Sequence, residues 1–216
     1  AYIRSAYELA AAPFAYESIH FPKNENDLTV ARRKLIFEEL YVLSCALGKM
    51  RSGRTVQKGR ALEKLDLSEF TAALRFELTG AQKRAIADAF DDMTGGAHPM
   101  SRLVQGDVGS GKTVVAAACC WLCARSGAQA AVMAPTEILA AQHYDTLSAM
   151  LEPFGIHVDI LTGGMTAKRK REAVERLALG QTDVIIGTHA LLSDNVTFFD
   201  LALVVADEQH RFGVMQ

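Results

Sequence analysis

Residues 106–113 read Gly106-Asp107-Val108-Gly109-Ser110-Gly111-Lys112-Thr113, a complete match to G-x-x-x-x-G-K-[ST]. This string works only between a strand and a helix. Arg102–Gln105 reads as the strand, and Thr113–Ala124, apolar all round, reads as a helix buried against a sheet. The chemistry explains the residue types. Glycines let successive backbone N–H groups turn inward around phosphates, and the following helix aims its positive end at the same anion. Lys112 is placed to reach the β- and γ-phosphates, and the Thr113 hydroxyl to ligate Mg²⁺. A glycine-rich turn without a ligand is the plain alternative.

Further apolar runs lie near 130–134, 158–161, 183–187 and 202–206, spaced by helical patterns or polar connections. Short strands alternating with helices predict an α/β fold, a parallel sheet covered on both faces. A chain of 216 residues with 50% hydrophobic and 22% charged residues is long enough to bury a core. The net charge of −2 requires any nucleic-acid contact to come from a local patch. No uncharged apolar stretch reaches the ~20 residues of a membrane span, so no membrane partner is expected. No basic-then-apolar leader opens the chain, and its first residue, Ala1, suggests a piece of a longer protein. Cys119, Cys120 and Cys123 sit inside the apolar helix. They read as inert core thiols in a reducing cytoplasm rather than as a redox or zinc motif.

The first third, residues 1–74, reads as a helical segment preceding the sheet domain of 75–216. Asp27 is placed to cap a helix over 29–50, with Leu35, Ile36, Leu40, Leu43, Leu47 and Met50 as one apolar stripe. Between Lys49 and Lys64 stand six Lys/Arg against one acid, Glu63. A solvated loop is the plainer reading of that hinge, and phosphate contact the sharper one. The basic run Lys168-Arg169-Lys170-Arg171 opens a later helix and admits the same pair of readings.

The last apolar run ends in Asp207-Glu208-Gln209-His210. Acids at the C-terminal end of a parallel strand stand where ligands bind in such sheets. Asp207 suits Mg²⁺ through its water shell. Glu208 suits orientation and deprotonation of an attacking water, because a carboxylate on a metal is a poor base.

GDVGSGKT, APTEILA at 134–140 and DEQHRFG at 207–213 together resemble superfamily 2 helicases and, within them, the RecG family of branch-migrating DNA helicases. The resemblance runs from Phe76 to the end, and more weakly through Ile19-His20-Phe21-Pro22 and the helix after it. It implies a RecA-like P-loop NTPase lobe preceded by a helical linker to a wedge domain. ATP and Mg²⁺ are the implied cofactors. Phe76 and Gln82 resemble the adenine-recognition motif, and Lys112 and Glu208 the catalytic pair. Pro135, Thr136, Thr162, Gly163, Thr188 and His189 resemble DNA-facing positions, and His210 the residue coupling nucleotide state to a second lobe. The implied partners are branched, single-stranded and duplex DNA, at replication forks and Holliday junctions, together with that second RecA-like lobe and the wedge domain. The chain's end shortly after the DEQH string carries the expectation that it binds nucleotide weakly by itself and hydrolyses little.

The motor of a transcription-repair coupling translocase is the near alternative. Ser110, Thr136-Glu137-Ile138 and Gln209 favour the RecG family over it. A GTPase would carry an N-K-x-D string, which does not occur. A small-molecule kinase would carry an arginine-rich lid. A non-catalytic nucleotide-binding module would not need both Asp207 and Glu208.

Overall fold

The computed structural model describes residues 2–52, 59–96, 98–107 and 109–208. The chain divides into two compact units, Ala1–Val56 and Gln57–Gln216.

The first unit holds helices α1 (Tyr2–Ala6), α2 (Ala12–His20) and α3 (Glu25–Ser52). α3 begins earlier than the apolar spacing suggests. Asn24 caps it rather than Asp27: Asn24 Oδ1 accepts the Asp27 backbone N–H at 2.8 Å, leaving Asp27 inside the first turn. α2 packs on α3, where Ala15 and Ala31 are fully buried and let the helices approach closely. The apolar stripe is not the packed face. Ile36, Leu40, Leu43 and Leu47 are exposed, whereas Lys34 is 8% exposed and ion-paired with Glu38.

The second unit is an α/β domain. Its helices are α4 (Ser68–Ala72), α5 (Gly80–Gly95), α6 (Lys112–Arg125), α7 (Glu137–Leu151) and α8 (Ala167–Ala178). Its strands are β1 (Gln129–Met133), β2 (Val158–Leu161), β3 (Val184–Gly187) and β4 (Leu201–Ala206). They form a wholly parallel sheet in the order β2-β3-β1-β4. Alternation along the strands splits the interior in two, as the pleat requires. Ala130, Val132, Val184, Ile186 and Leu203 face the larger core with α5, α6 and α7. Ala131, Ile185 and Leu161 face a smaller core with Ala173 and Leu177 of α8.

α6 has nine buried residues from Val114 to Cys123, as an all-apolar helix must. Its Trp121 ring stacks on Phe90 at 6.5 Å and meets Phe70 at 5.9 Å and Phe154 at 6.0 Å. The buried Gln129 amide joins three segments. Its Nε2 donates to the Leu177 and Thr182 carbonyls at 2.9 and 2.7 Å, and its Oε1 accepts the Asp200 amide at 3.0 Å. Arg176 of α8 grips Asp159 of β2 in a two-pronged ion pair at 2.8 and 2.9 Å.

The segment 102–105 is not a strand. Leu103 is 77% exposed, and no neighbour in the sheet pairs with it. Arg102 is drawn instead to α5, bonding Asp92 at 2.7 and 3.0 Å and Asp88 at 3.3 Å. An apolar run becomes a strand only where a partner offers a ladder. The expected boundary at 74/75 falls inside the second unit, because Leu62 and Phe70 belong to its larger core.

Candidate functional site

The loop from Gly106 turns at Gly109 (φ 82°) and Gly111 (φ 77°), left-handed conformations that only glycine takes without strain. Gly111 is also closely approached, since a Cβ there would collide with the Gln82 amide nitrogen. It stands at the N-cap of α6, where no described side chain caps the helix, and its carbonyl takes the Val114 N–H of the first turn at 3.1 Å. Lys112 Nζ donates to the Gly106 and Asp107 carbonyls at 2.7 and 2.9 Å. The ammonium is thereby held against the loop. Val108 lies outside the described residues.

Gln82 is bound to this loop directly. Thr79 Oγ1 accepts the Gln82 backbone N–H at 3.2 Å, and Gln82 Oε1 accepts the Thr79 N–H at 2.9 Å, a capping box opening α5. Gln82 Nε2 donates to the Ser110 carbonyl at 2.9 Å. The amide retains a second N–H and a second lone pair on oxygen. Phe76, Leu78 and Lys83 line a neighbouring cleft of about 520 Å³.

Asp207 follows β4, and its N–H donates to the Met133 carbonyl of β1 at 2.9 Å. Asp207 Oδ1 accepts the Glu208 N–H at 3.0 Å. Glu208 adopts φ 51°, an uncommon conformation for a side chain other than glycine, asparagine or aspartate. Such outliers gather at functional sites. Asp207 Oδ2 lies 2.8 Å from His143 Nε2 on α7. His143 and Thr113 line one cleft of about 370 Å³ with Gln142, Asp145 and Thr146. His143 therefore shares a cleft with Thr113 and a hydrogen bond with Asp207, two residues far apart in sequence. His210 lies outside the described residues, as do residues 53–58 of the basic hinge.

The six other expected positions follow the C-terminal ends of β1, β2 and β3. Thr136 is exposed and caps α7, accepting the Leu139 N–H at 3.3 Å; Pro135 before it is half-buried. Gly163 and His189 are exposed. Thr162 and Thr188 are only 7% and 8% exposed, so they shape their loops more than they present hydroxyls. Sequence reasoning missed the link between the first two loops. Glu137 Oε1 accepts the Gly164 N–H at 2.7 Å, and Lys170 Nζ donates to the Gly163 carbonyl at 2.5 Å. Nothing in a linear string pairs an acid at 137 with an amide at 164. Among the described residues no cluster of three or more His, Cys, Asp or Glu forms a metal site, and no helix is long and apolar enough to cross a membrane.

The DEAD/DEAH box helicase model matches residues 79–216. The ATP-dependent DNA helicase RecG of Bacillus subtilis is 41% identical over 217 residues, covering 99% of this chain and 32% of its own length. The Thermotoga maritima RecG is 47% identical over 204 residues, covering 94% of this chain and 26% of its own length. A structure of RecG bound to a three-way DNA junction superimposes with a TM-score of 0.84 at 44% identity, over 98% of this chain and 29% of that one. The structure of a hypothetical ATP-dependent RNA helicase from Sulfolobus tokodaii, 21% identical with a TM-score of 0.53, shares the fold over 67% of this chain and 41% of that one. The chain thus spans about a third or less of the length of its RecG relatives.

Proposed function

Since the chain belongs to the DEAD/DEAH box helicase family, we propose that it is the ATP-binding first motor lobe of a DNA helicase or translocase that remodels branched DNA. One observation carries this reading: His143, which is bonded to Asp207 after β4, lines one cleft with Thr113 at the start of α6. The loop amides and Lys112 bind the β- and γ-phosphates. Gln82 reads the adenine edge with the hydrogen-bonding capacity its amide retains, while the Phe76 cleft receives the base.

The donor set fits Mg²⁺, a hard cation that takes oxygen ligands and keeps several waters. Thr113 would hold it by its hydroxyl and Asp207 through the water shell. Bound there, it neutralises charge on the phosphate oxygens. Glu208 orients the attacking water and accepts its proton.

Thr136, Gly163 and His189 contact the DNA backbone. Pro135, Thr162 and Thr188 set the shape of those loops. A contact with phosphates positions the strand without reading its sequence, as suits an enzyme that acts on junction shape. His210 couples nucleotide state to a second RecA-like lobe, and a wedge domain grips the junction, both in the longer protein. By itself this chain is expected to bind nucleotide weakly with little hydrolysis.

Calorimetric titration with Mg-ADP and Mg-ATP, beside Lys112→Ala, tests the reading. Binding by the wild-type chain and its loss in Lys112→Ala is the expected result. Equal affinity in the two would remove the loop from nucleotide binding.

A further inference from the structure

No motif marks His143, and the resemblance to helicases gives it no role. It lies in the second turn of α7, with Asp207 64 positions further along the chain. We propose that His143 is a positioning residue of the metal site: its Nε2–H holds one oxygen of Asp207, so that the carboxylate presents its remaining lone pairs to a divalent cation and its waters. This role presupposes the nucleotide site proposed above.

A carboxylate has two oxygens and about four acceptor positions. One on Oδ1 receives the Glu208 backbone N–H at 3.0 Å, and one on Oδ2 receives His143 at 2.8 Å. The acceptor is a carboxylate, so Nε2 is the nitrogen that carries the hydrogen. The Asp207 backbone is itself tied to β1 through Met133 at 2.9 Å. The carboxylate is therefore fixed from its own chain and from a separate helix.

The His143 and Asp207 side chains are only 18% and 34% exposed, which strengthens the bond relative to one in open water. A histidine ring offers Nε2–H as a single directed donor from a rigid, planar side chain. Thr113 and His143 line the same cleft, so the group that orients the carboxylate also borders the hydroxyl proposed as the other ligand. Outer partners of this kind typically change metal affinity by about 10–100-fold when removed.

The test measures ADP affinity by calorimetry in saturating Mg²⁺ and in EDTA, for the wild-type chain, His143→Leu and His143→Gln. His143→Ala serves as a second donor-free variant should leucine disturb packing. The quantity read is the gain in affinity that Mg²⁺ confers. His143→Leu should lose about tenfold or more of that gain, with binding in EDTA unchanged. His143→Gln, which keeps an N–H donor, should recover part of it. Mn²⁺ affinity followed by electron paramagnetic resonance should fall in parallel. On an Asp207→Asn background, His143→Leu should have no further effect.

A full wild-type gain in folded His143→Leu would overturn the proposal. So would equal losses in EDTA and in Mg²⁺, which would reduce His143 to a tie between α7 and β4. A wild-type chain that binds ADP without any gain from Mg²⁺ would instead sink the metal site itself, and this role with it.

Discussion

Gln82 closes the capping box of α5 and holds the Ser110 carbonyl with the other end of the same amide. Two substitutions separate these tasks. Gln82→Ala removes both and is expected to cost about 0.5–2 kcal/mol of stability from the lost cap, together with affinity for ADP. Gln82→Glu keeps an oxygen for the Thr79 N–H but sets a second oxygen against the Ser110 carbonyl. It should hold more of the stability while losing nucleotide affinity as fully as alanine. Urea denaturation and ADP titration of the pair check this, and equal ADP affinity for wild type and Gln82→Glu would detach Gln82 from the loop. The phosphate loop was legible from its residues because a backbone that must take φ near +80° demands glycine. The bond from Gln82 to Ser110 spans 28 positions and the one from His143 to Asp207 spans 64. Such contacts exist only once the sheet has brought the elements together, and no local spacing encodes them.

The buried helix α6 was legible as an element because every face of it is apolar. Four strands were legible as short, mostly apolar runs between helical patterns or polar connections. The fifth expected one, 102–105, was not, because pairing is a property of two segments and Arg102 is held to α5 instead. The α6 thiols carry a pH prediction. Burial pushes Cys119 and Cys123 up to about 12, and Cys120 upward as well. In the unfolded chain these thiols ionise near 8.5. Between these values the unfolded state gives up protons that the folded state keeps, so stability falls as pH rises. The contribution is complete below about pH 8.5 and is lost progressively toward pH 12. Urea midpoints followed by the fluorescence of Trp121, the sole tryptophan, should fall across that window. A Cys119→Ala/Cys123→Ala protein controls for tyrosine and lysine ionisation and should show a shallower fall. An identical slope would deny that these thiols contribute. Below pH 8, a thiol reagent should modify the exposed Cys45 well before the three buried cysteines.

At the scale of the whole chain, everything assigned to nucleotide and to DNA among the described residues lies in Gln57–Gln216. Both hydrophobic clusters lie there too. A polypeptide of residues 57–216 is therefore expected to fold cooperatively and to bind Mg-ADP as the full chain does. Starting at residue 75, where the change in sequence character alone would place the boundary, should give a different result. That cut removes Leu62, and with it Phe70, which is fully buried between Trp121 and Phe154 at 5.9 and 6.0 Å. Emptying an aromatic site of this kind costs about 3–5 kcal/mol, a large share of a typical domain's stability of about 5–15 kcal/mol. It also bares one side of Trp121, whose indole N–H has no hydrogen-bond partner among the described residues. The shorter polypeptide should unfold at a markedly lower urea midpoint or aggregate, and its tryptophan emission should shift to the red. Equal midpoints for the two would show that residues 57–74 only connect. A sharp gap between them would make those residues part of the nucleotide-binding domain, a border that polar and basic composition conceals and buried aromatic packing defines.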